Sequence, residues 1–506
     1  MSERLAERSG VEVRRLAALR DAGEAHWFQS AIDRLRGLPH EADERVRNFF
    51  ARDAPIYIGR APGRLDVMGG IADYSGSVVL ELPLDCATVA MVQPRTTRFC
   101  EMATRRGERW HLFRMESSRL ASGRPLGTQA ALRAWFHGRG SERWASYCAG
   151  VIQCFLQRAA REGGRVPVGL RVVIDSTVPA GRGVASSAAI EVAVGMAVAA
   201  ACCSTVSATE LATLCQSVEN NVVGAPCGIM DQMTSACGRR GSLLRLLCQP
   251  GSIEGHVEIP AGYRFYGIDS GISHVVSGAD YGTVRTAAFM GYRMIAARAG
   301  LRVEREGNRV RIDDPHWRGY LANLSDSEFT HLAESLPAAI GGAEFLERYD
   351  GITDSVTAVR ADRRYPVLAA TGHPVREHAR VRRFAELLTS LAARPAAAVE
   401  MGRLMVDSHR SYGACGLGST GTDRLVELVA AVGADRGVHG AKITGGGSGG
   451  TVAVFATVEA EPLVRDVAAR YAAESGRRAS VFTESGPGAA EIGVLMLEPS
   501  DSQHQA

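Results

Sequence analysis

The sequence predicts an α+β protein of two domains. Three observations carry this: a length too great for one core, strands and helices that mix without regular βαβ alternation, and four glycine-rich motifs spread along the chain. At 506 residues the chain exceeds what a single hydrophobic core ordinarily serves. Hydrophobic residues make up 46% and charged residues 22%, the composition of a globular protein in water. The irregular order of strands and helices argues for α+β layering.

The first fifty residues read as a helical extension with amphipathic segments at 11–22 and 42–50. A strand follows at 56–59, then a turn at Ala61-Pro62-Gly63. Residues 78–82 and 87–92 read as two further strands, 144–158 as a helix and 168–176 as a strand. The Ala- and Val-rich run 184–203 contains Glu191 and reads as a buried helix, not a membrane span. Later helices are predicted at 285–299, 378–393, 401–409 and 421–432, and a strand at 452–457. The expected domains are 51–260, carrying the glycine loop at 179–188, and 261–498, with a frayed tail at 499–506.

Composition also excludes. A formal net charge of +3, with arginine supplying nearly all of the positive side, gives no reason to expect nucleic acid as a partner. Eleven cysteines without a CxxC pair or Cys/His ligand spacing indicate neither a zinc site nor a disulfide framework. With a charged N-terminus lacking a secretory apolar core, they suit reduced thiols in the cytoplasm, with no membrane anchorage.

The strongest local feature is the run Pro179 to Ala188, PAGRGVASSA, between a predicted strand and a predicted helix. Gly181 and Gly183 let the backbone approach a phosphate, and a helix N-terminus offers unpaired N–H donors. Ser186 and Ser187 are expected to cap the helix and to offer hydroxyls to phosphate or magnesium. The loop is not a Walker A motif, and a plain serine-capped connection would also explain it. Glu219 lies on a helix ending near Gly224, and a turn is expected to deliver Asp231. Two carboxylates beside a phosphate loop repel unless a cation or a proton intervenes. One is then expected to ligate magnesium and the other to face a hydroxyl; a structural turn with a surface acid is the plainer account. Five glycines between Thr444 and Gly450 precede a strand, which favours an ordered loop lining a phosphate cleft over a linker. In the run Ala61 to Tyr74, Arg64 and Asp73 stand in a glycine-interrupted segment. They form either a salt bridge or a sugar-binding pair.

Taken in order, APGR…GG…DY, PxxxGxxSSA, GxPCGxMDQ and TGGGSGG resemble the GHMP kinases, and in detail their galactokinase branch. The resemblance runs from about residue 55 to 495. It implies a two-domain fold with the active site in the cleft between the domains, and an ATP- and Mg2+-dependent phosphoryl transfer to a small sugar. Carried over residue by residue, Asp231 is the base at the anomeric hydroxyl, with Arg64 beside it. Ser187 and Glu219 hold Mg2+, and Gly181, Gly183, Ser186, Gly445, Gly446 and Gly447 shape the nucleotide site. Asp73, Gly228 and Tyr281 contact sugar hydroxyls.

One departure bears on the sugar. Galactokinases read Gly-Glu-His-Thr-Asp-Tyr where this chain reads Gly69-Gly70-Ile71-Ala72-Asp73-Tyr74. In that family the Glu and His lie at the hydroxymethyl end of the sugar, and Gly70 and Ile71 offer no side-chain hydrogen bond there. Burying a hydroxyl without a partner costs about 1–3 kcal/mol. L-Arabinose in its pyranose form is D-galactose without that group, and avoids the cost. The strings DVMGGIADYSGS and VENNVVGAPCGIMDQMTSACG also look like the kinase half of plant L-arabinokinases. The expected reaction is therefore L-arabinose to L-arabinose 1-phosphate. The alternatives are a galactokinase, a kinase for another galactose-like sugar, or a non-catalytic sugar sensor.

Overall fold

The computed structural model describes residues 12–15, 18–19, 23–273 and 279–499. Its largest sheet contains β1 (Val13–Arg15), β2 (Ile56–Met68), β3 (Val78–Arg95), β4 (Phe99–Arg106), β5 (Arg109–Glu116), β6 (Gly169–Ser176), β7 (Ser242–Leu247) and β8 (Ser252–Glu258). The turn expected at 61–63 is absent, because β2 runs straight through it. Pro62 has no N–H to give a ladder, and the register with β3 slips between Pro62 and Arg64, a bulge that accommodates it. Likewise the two strands expected at 78–82 and 87–92 are one. One edge of β3 pairs first with β7 and then with β6, while β2 follows the other edge throughout.

A second, four-stranded sheet contains β9 (Tyr263–Asp269), β10 (Val438–Ile443), β11 (Thr451–Thr457) and β12 (Val481–Phe482), in the order β10-β11-β9-β12, all antiparallel. The chain then returns to the large sheet, where β13 (Val494–Leu497) pairs with β2 and β1. Residues 13–15, expected to be helical, are thus a strand, since tertiary pairing with β13 overrides a weak local preference. The rest of the expected segment 11–22 lies largely outside the described residues. Of the helix expected at 42–50, only Glu44–Arg47 is helical.

Helices α1 (Ala145–Glu162), α2 (Ser186–Ala201), α3 (Ala208–Val218) and α4 (Met230–Cys237) pack together against the large sheet. Small apolar residues cover every side of α2, as burial between a sheet and other helices requires. No helix among the described residues is long and apolar enough to cross a membrane. The second half supplies α5 (Ala279–Arg298), α6 (Val367–Ser390), α7 (Ala397–Ala414), α8 (Thr420–Val432) and α9 (Glu461–Ser475). The helix expected from 378 begins eleven residues earlier and continues through Pro374.

Candidate active site

Arg64 enters the site because β2 lies unusually close to the loop before α2. A Cβ on Gly63 would stand 2.8 Å from the Val184 carbonyl oxygen, to which the Arg64 N–H donates at 3.1 Å. The guanidinium is buried. Its Nε and Nη2 lie 2.9 and 2.7 Å from Asp231 Oδ1, and Nη1 donates to the Gly183 carbonyl at 2.6 Å. Burial alone would weaken its charge, but Asp231, Glu81 and Asp66 outweigh that and hold it firmly protonated. The Arg64–Asp73 salt bridge offered as one reading of the sequence is therefore replaced by an Arg64–Asp231 pair. Asp231 occupies the first turn of α4 instead of a loop, and its side chain is 20% exposed, opening on the cleft.

Glu81 lies 3.2 Å from Arg64 Nε, wholly buried and without a hydrogen bond. Burial, then Asp66, push its carboxyl far up, toward the neutral form, so Asp231 is the stronger partner of Arg64.

Gly181 and Gly183 take positive φ of 70° and 71°, and the loop ends on Ala185 at φ 59°. Ala185 is the N-cap of α2 and has no acceptor, so the expected serine cap is not formed. A non-glycine residue in this left-handed region stores roughly 1–3 kcal/mol of strain, of the kind that collects at functional sites. Ser186 and Ser187 become the first residues of the helix, and the first-turn N–H groups have no intrahelical partner. Ser187 donates to Glu219, which sits in a π-helical turn, Glu219–Val223, closing α3.

Burial pushes Glu219 up to about 7; Asp231 adds to the rise, while Ser187 and Gln232 oppose it. Gln232 Nε2 donates at 2.6 Å to Glu219 and at 3.3 Å to Glu191, a wholly buried carboxyl on α2 one turn beyond Ser187. Burial and Glu219 push Glu191 far up, toward its neutral form. Its i+4 spacing from Ser187, in a run otherwise of small apolar residues, is a signal that could have placed it behind the site.

Opposite stands Asp73, pushed up to about 7 by burial and by Asp231, with Arg285 opposing. Its Oδ1 accepts the Tyr74 N–H at 2.6 Å. Position 228 must be glycine, since a Cβ there would stand 1.6 Å from Asp73 Oδ2. Tyr281 closes this wall, edge-on to Tyr74. One turn on, Arg285 is held by Asp354 at 2.8 and 2.9 Å and donates to the Cys227 carbonyl at 3.0 Å. Arg285 and Asp354 went unread in the sequence; 69 residues separate them.

Arg64, Asp73, Gly181, Gly183, Ser186, Ser187, Glu219, Gly228, Asp231, Tyr281 and Gly446 thus line one cleft open to solvent. Four sequence candidates do not line it. Gly445 lies behind the lining, packed on Gly183 and Arg64 and donating to Asp66, and Gly447 is packed on Leu417. Gly70 lies under the Tyr412 hydroxyl, and Ile71 is buried in the apolar cluster that includes Tyr281 and Val284.

Residues 146–239 match the family described as GHMP kinases N terminal domain, and residues 391–473 match GHMP kinases C terminal. An L-arabinokinase of Arabidopsis thaliana is 39% identical over 496 residues, 88% of this chain; the chain spans 47% of that protein, about half its length. A galactokinase of Chloroflexus aggregans (strain MD-66 / DSM 9485) is 30% identical over 430 residues, 84% of this chain and 90% of its own. The crystal structure of Lactococcus lactis galactokinase complexed with galactose shares the fold, with a TM-score of 0.64 at 19% identity, covering 87% of this chain and 94% of that one. Motif order, fold and a relative matched along nine tenths of its length converge, and the chain belongs to the GHMP kinases, on their galactokinase-like branch.

Proposed function

We propose that this chain transfers the γ-phosphoryl group of ATP to the anomeric hydroxyl of L-arabinose, giving L-arabinose 1-phosphate and ADP. The observation that carries the reading is the Arg64–Asp231 pair, which opens between the bare N-terminus of α2 and the Asp73–Tyr281 wall. Triphosphate oxygens are received by the first-turn N–H groups of α2 and by the loop of Gly181 and Gly183. The sugar lies against Asp73 and Tyr281, its anomeric hydroxyl toward Asp231. An O–P bond forms from that hydroxyl as the γ-phosphorus leaves the β-phosphate, and Asp231 takes the hydroxyl proton. In a loose transition state most of the gain comes from positioning and charge neutralisation, which Arg64 supplies from the side.

The donor set suits magnesium. Ser187 and Glu219 offer hard oxygens in contact with each other, and a carboxyl raised to about 7 is one that a cation would ionise. Bound with the nucleotide, Mg2+ would neutralise phosphate charge. Before it binds, Glu219 and Asp73 make the protein more stable at low pH. Their folded values lie above the ordinary 4.5 and 3.8, so their contribution is full below those values and is lost as pH rises toward about 7. Mg-ADP is therefore expected to release a fraction of a proton near pH 6.5, measured by calorimetry in buffers of different ionisation enthalpy. The release should vanish in Glu219→Gln. Equal release in both proteins removes Glu219 from the metal site.

The choice of sugar is supported by the absence of a hydrogen-bonding side chain at Gly70 and Ile71 and by the likeness to an L-arabinokinase. Side-by-side kinetics test it. The expected kcat/KM favours L-arabinose over D-galactose at least tenfold, the value of about 1.4 kcal/mol. A preference for galactose overturns the sugar assignment and leaves the kinase.

A further inference from the structure

Of the 58 lysine and arginine residues in the chain a single one is lysine, Lys442, and it is wholly buried. It stands on β10, immediately before the Thr444–Gly450 run. Nζ lies 2.7 Å from Oδ2 of Asp66, which is wholly buried on β2. The same oxygen accepts the Gly445 N–H at 3.1 Å, and Oδ1 accepts the Gly70 N–H at 3.0 Å. The Asp66 N–H donates to Thr444 Oγ1 at 3.0 Å. Tyr412 closes the circuit: its hydroxyl accepts the Ile71 N–H at 2.9 Å and donates to the Gly445 carbonyl at 3.0 Å. One carboxylate therefore holds the start of the sugar-side loop on one oxygen and the start of the glycine run on the other.

The choice of lysine follows from room and from charge. The pocket is so tight that a Cβ on Gly70 would lie 1.6 Å from the Tyr412 oxygen, and Lys442 Nζ is already 5.3 Å from that ring's centre. A compact ammonium fits where a planar guanidinium would not. A buried ion pair is poor value for stability alone, since desolvation offsets its attraction, so some other property accounts for it here.

We propose that Lys442 and Asp66 are positioning residues that couple the two substrates. A nucleotide ordering the glycine run moves Asp66, and Asp66 sets Gly70 and the loop that ends at Asp73; a sugar acts in the reverse direction. The inference rests on the kinase reading above. Such coupling is reciprocal and ordinarily amounts to about 5–150-fold.

The test measures sugar affinity with and without saturating Mg-ADP, using the better of the two sugars above. The native protein should bind sugar at least ~5-fold tighter with Mg-ADP present, and in Lys442→Met the ratio should fall to within ~2-fold of unity. A second measurement needs no variant. Protein grown with 13C-lysine has one εCH2 signal, and sugar alone and Mg-ADP alone should each shift it. Either ligand leaving the signal unmoved, or a ratio that survives Lys442→Met, overturns the coupling while the kinase stands. Failure of both ligands to bind the native protein overturns the kinase reading, and the coupling with it.

Discussion

Asp231→Asn is expected to lower kcat by about 10³-fold while leaving Mg-ADP affinity within roughly threefold. The substitution keeps the shape of the side chain and an oxygen for Arg64, which also retains Glu81 and the Gly183 carbonyl as partners. Cleft geometry should therefore survive, and so should the loop and α2 N-terminus that receive phosphate. What disappears is the one carboxylate that is both paired with Arg64 and exposed to the cleft. An amide accepts a hydrogen bond but takes no proton, and it carries no charge to orient a polarised hydroxyl. General-base contributions of about 10²–10⁴-fold set the scale, and a loose transition state places part of the loss in orientation. Steady-state ADP release and calorimetric titration with Mg-ADP separate the two effects. Turnover within tenfold of native would take Asp231 out of the role of base.

The sequence made legible the residues that glycine motifs bring to a surface. Arg64, Asp73, Ser187, Glu219 and Asp231 are spread over 168 positions yet line one cleft, because each stands beside a glycine or a helix start that marks close approach. Less legible was which charge meets which. Arg64 and Asp73 are neighbours in sequence, and a local pair was the natural thought. The actual partner, Asp231, arrives on α4 from 167 residues away. Glu81 and Glu191 were invisible for a related reason: each is a carboxyl inside an apolar element, and burial keeps it neutral and compatible with its surroundings. Glu191 was read only as an argument against a membrane span. In the fold the two missed strand continuities were of one kind. Pro62-Gly63 signals a turn locally and 83–86 separates two apparent strands, but neighbouring strands carry β2 and β3 through both, and only the partner strands tell this. The sugar argument is sharpened in the same way. Gly70 does not face the cleft as an empty place; the Tyr412 hydroxyl occupies the space a side chain at 70 would need.

Arg64→Met is expected to damage stability and activity together, and its damage should depend on pH. The guanidinium is 3% exposed and is the cation that pairs with Asp231 and lies 3.2 Å from Glu81. Methionine fills much of its volume but leaves Asp231 unpaired and the Gly183 carbonyl without its donor. Breaking a buried pair from one side costs about 3–5 kcal/mol, because the remaining charge is stranded. Activity should fall with it by at least ~10²–10³-fold, the usual loss when a preorganised donor to developing charge is removed. Lysine should not rescue the variant. One ammonium cannot reach Asp231, Glu81 and the Gly183 carbonyl together, as the planar fork does. The sign of the pH effect follows from the cation lost. Arg64 is among the charges that oppose the rise of Asp73, so without it that carboxyl moves up from about 7 and the variant binds a proton the native protein does not. Its deficit in stability should therefore be largest near pH 8 and shrink as pH falls toward 5, where Asp73 is protonated in both proteins. Thermal melts of both proteins across that range measure it. A deficit that stays constant with pH would mean that Arg64 acts by packing alone, and that its charge does not hold the cleft together.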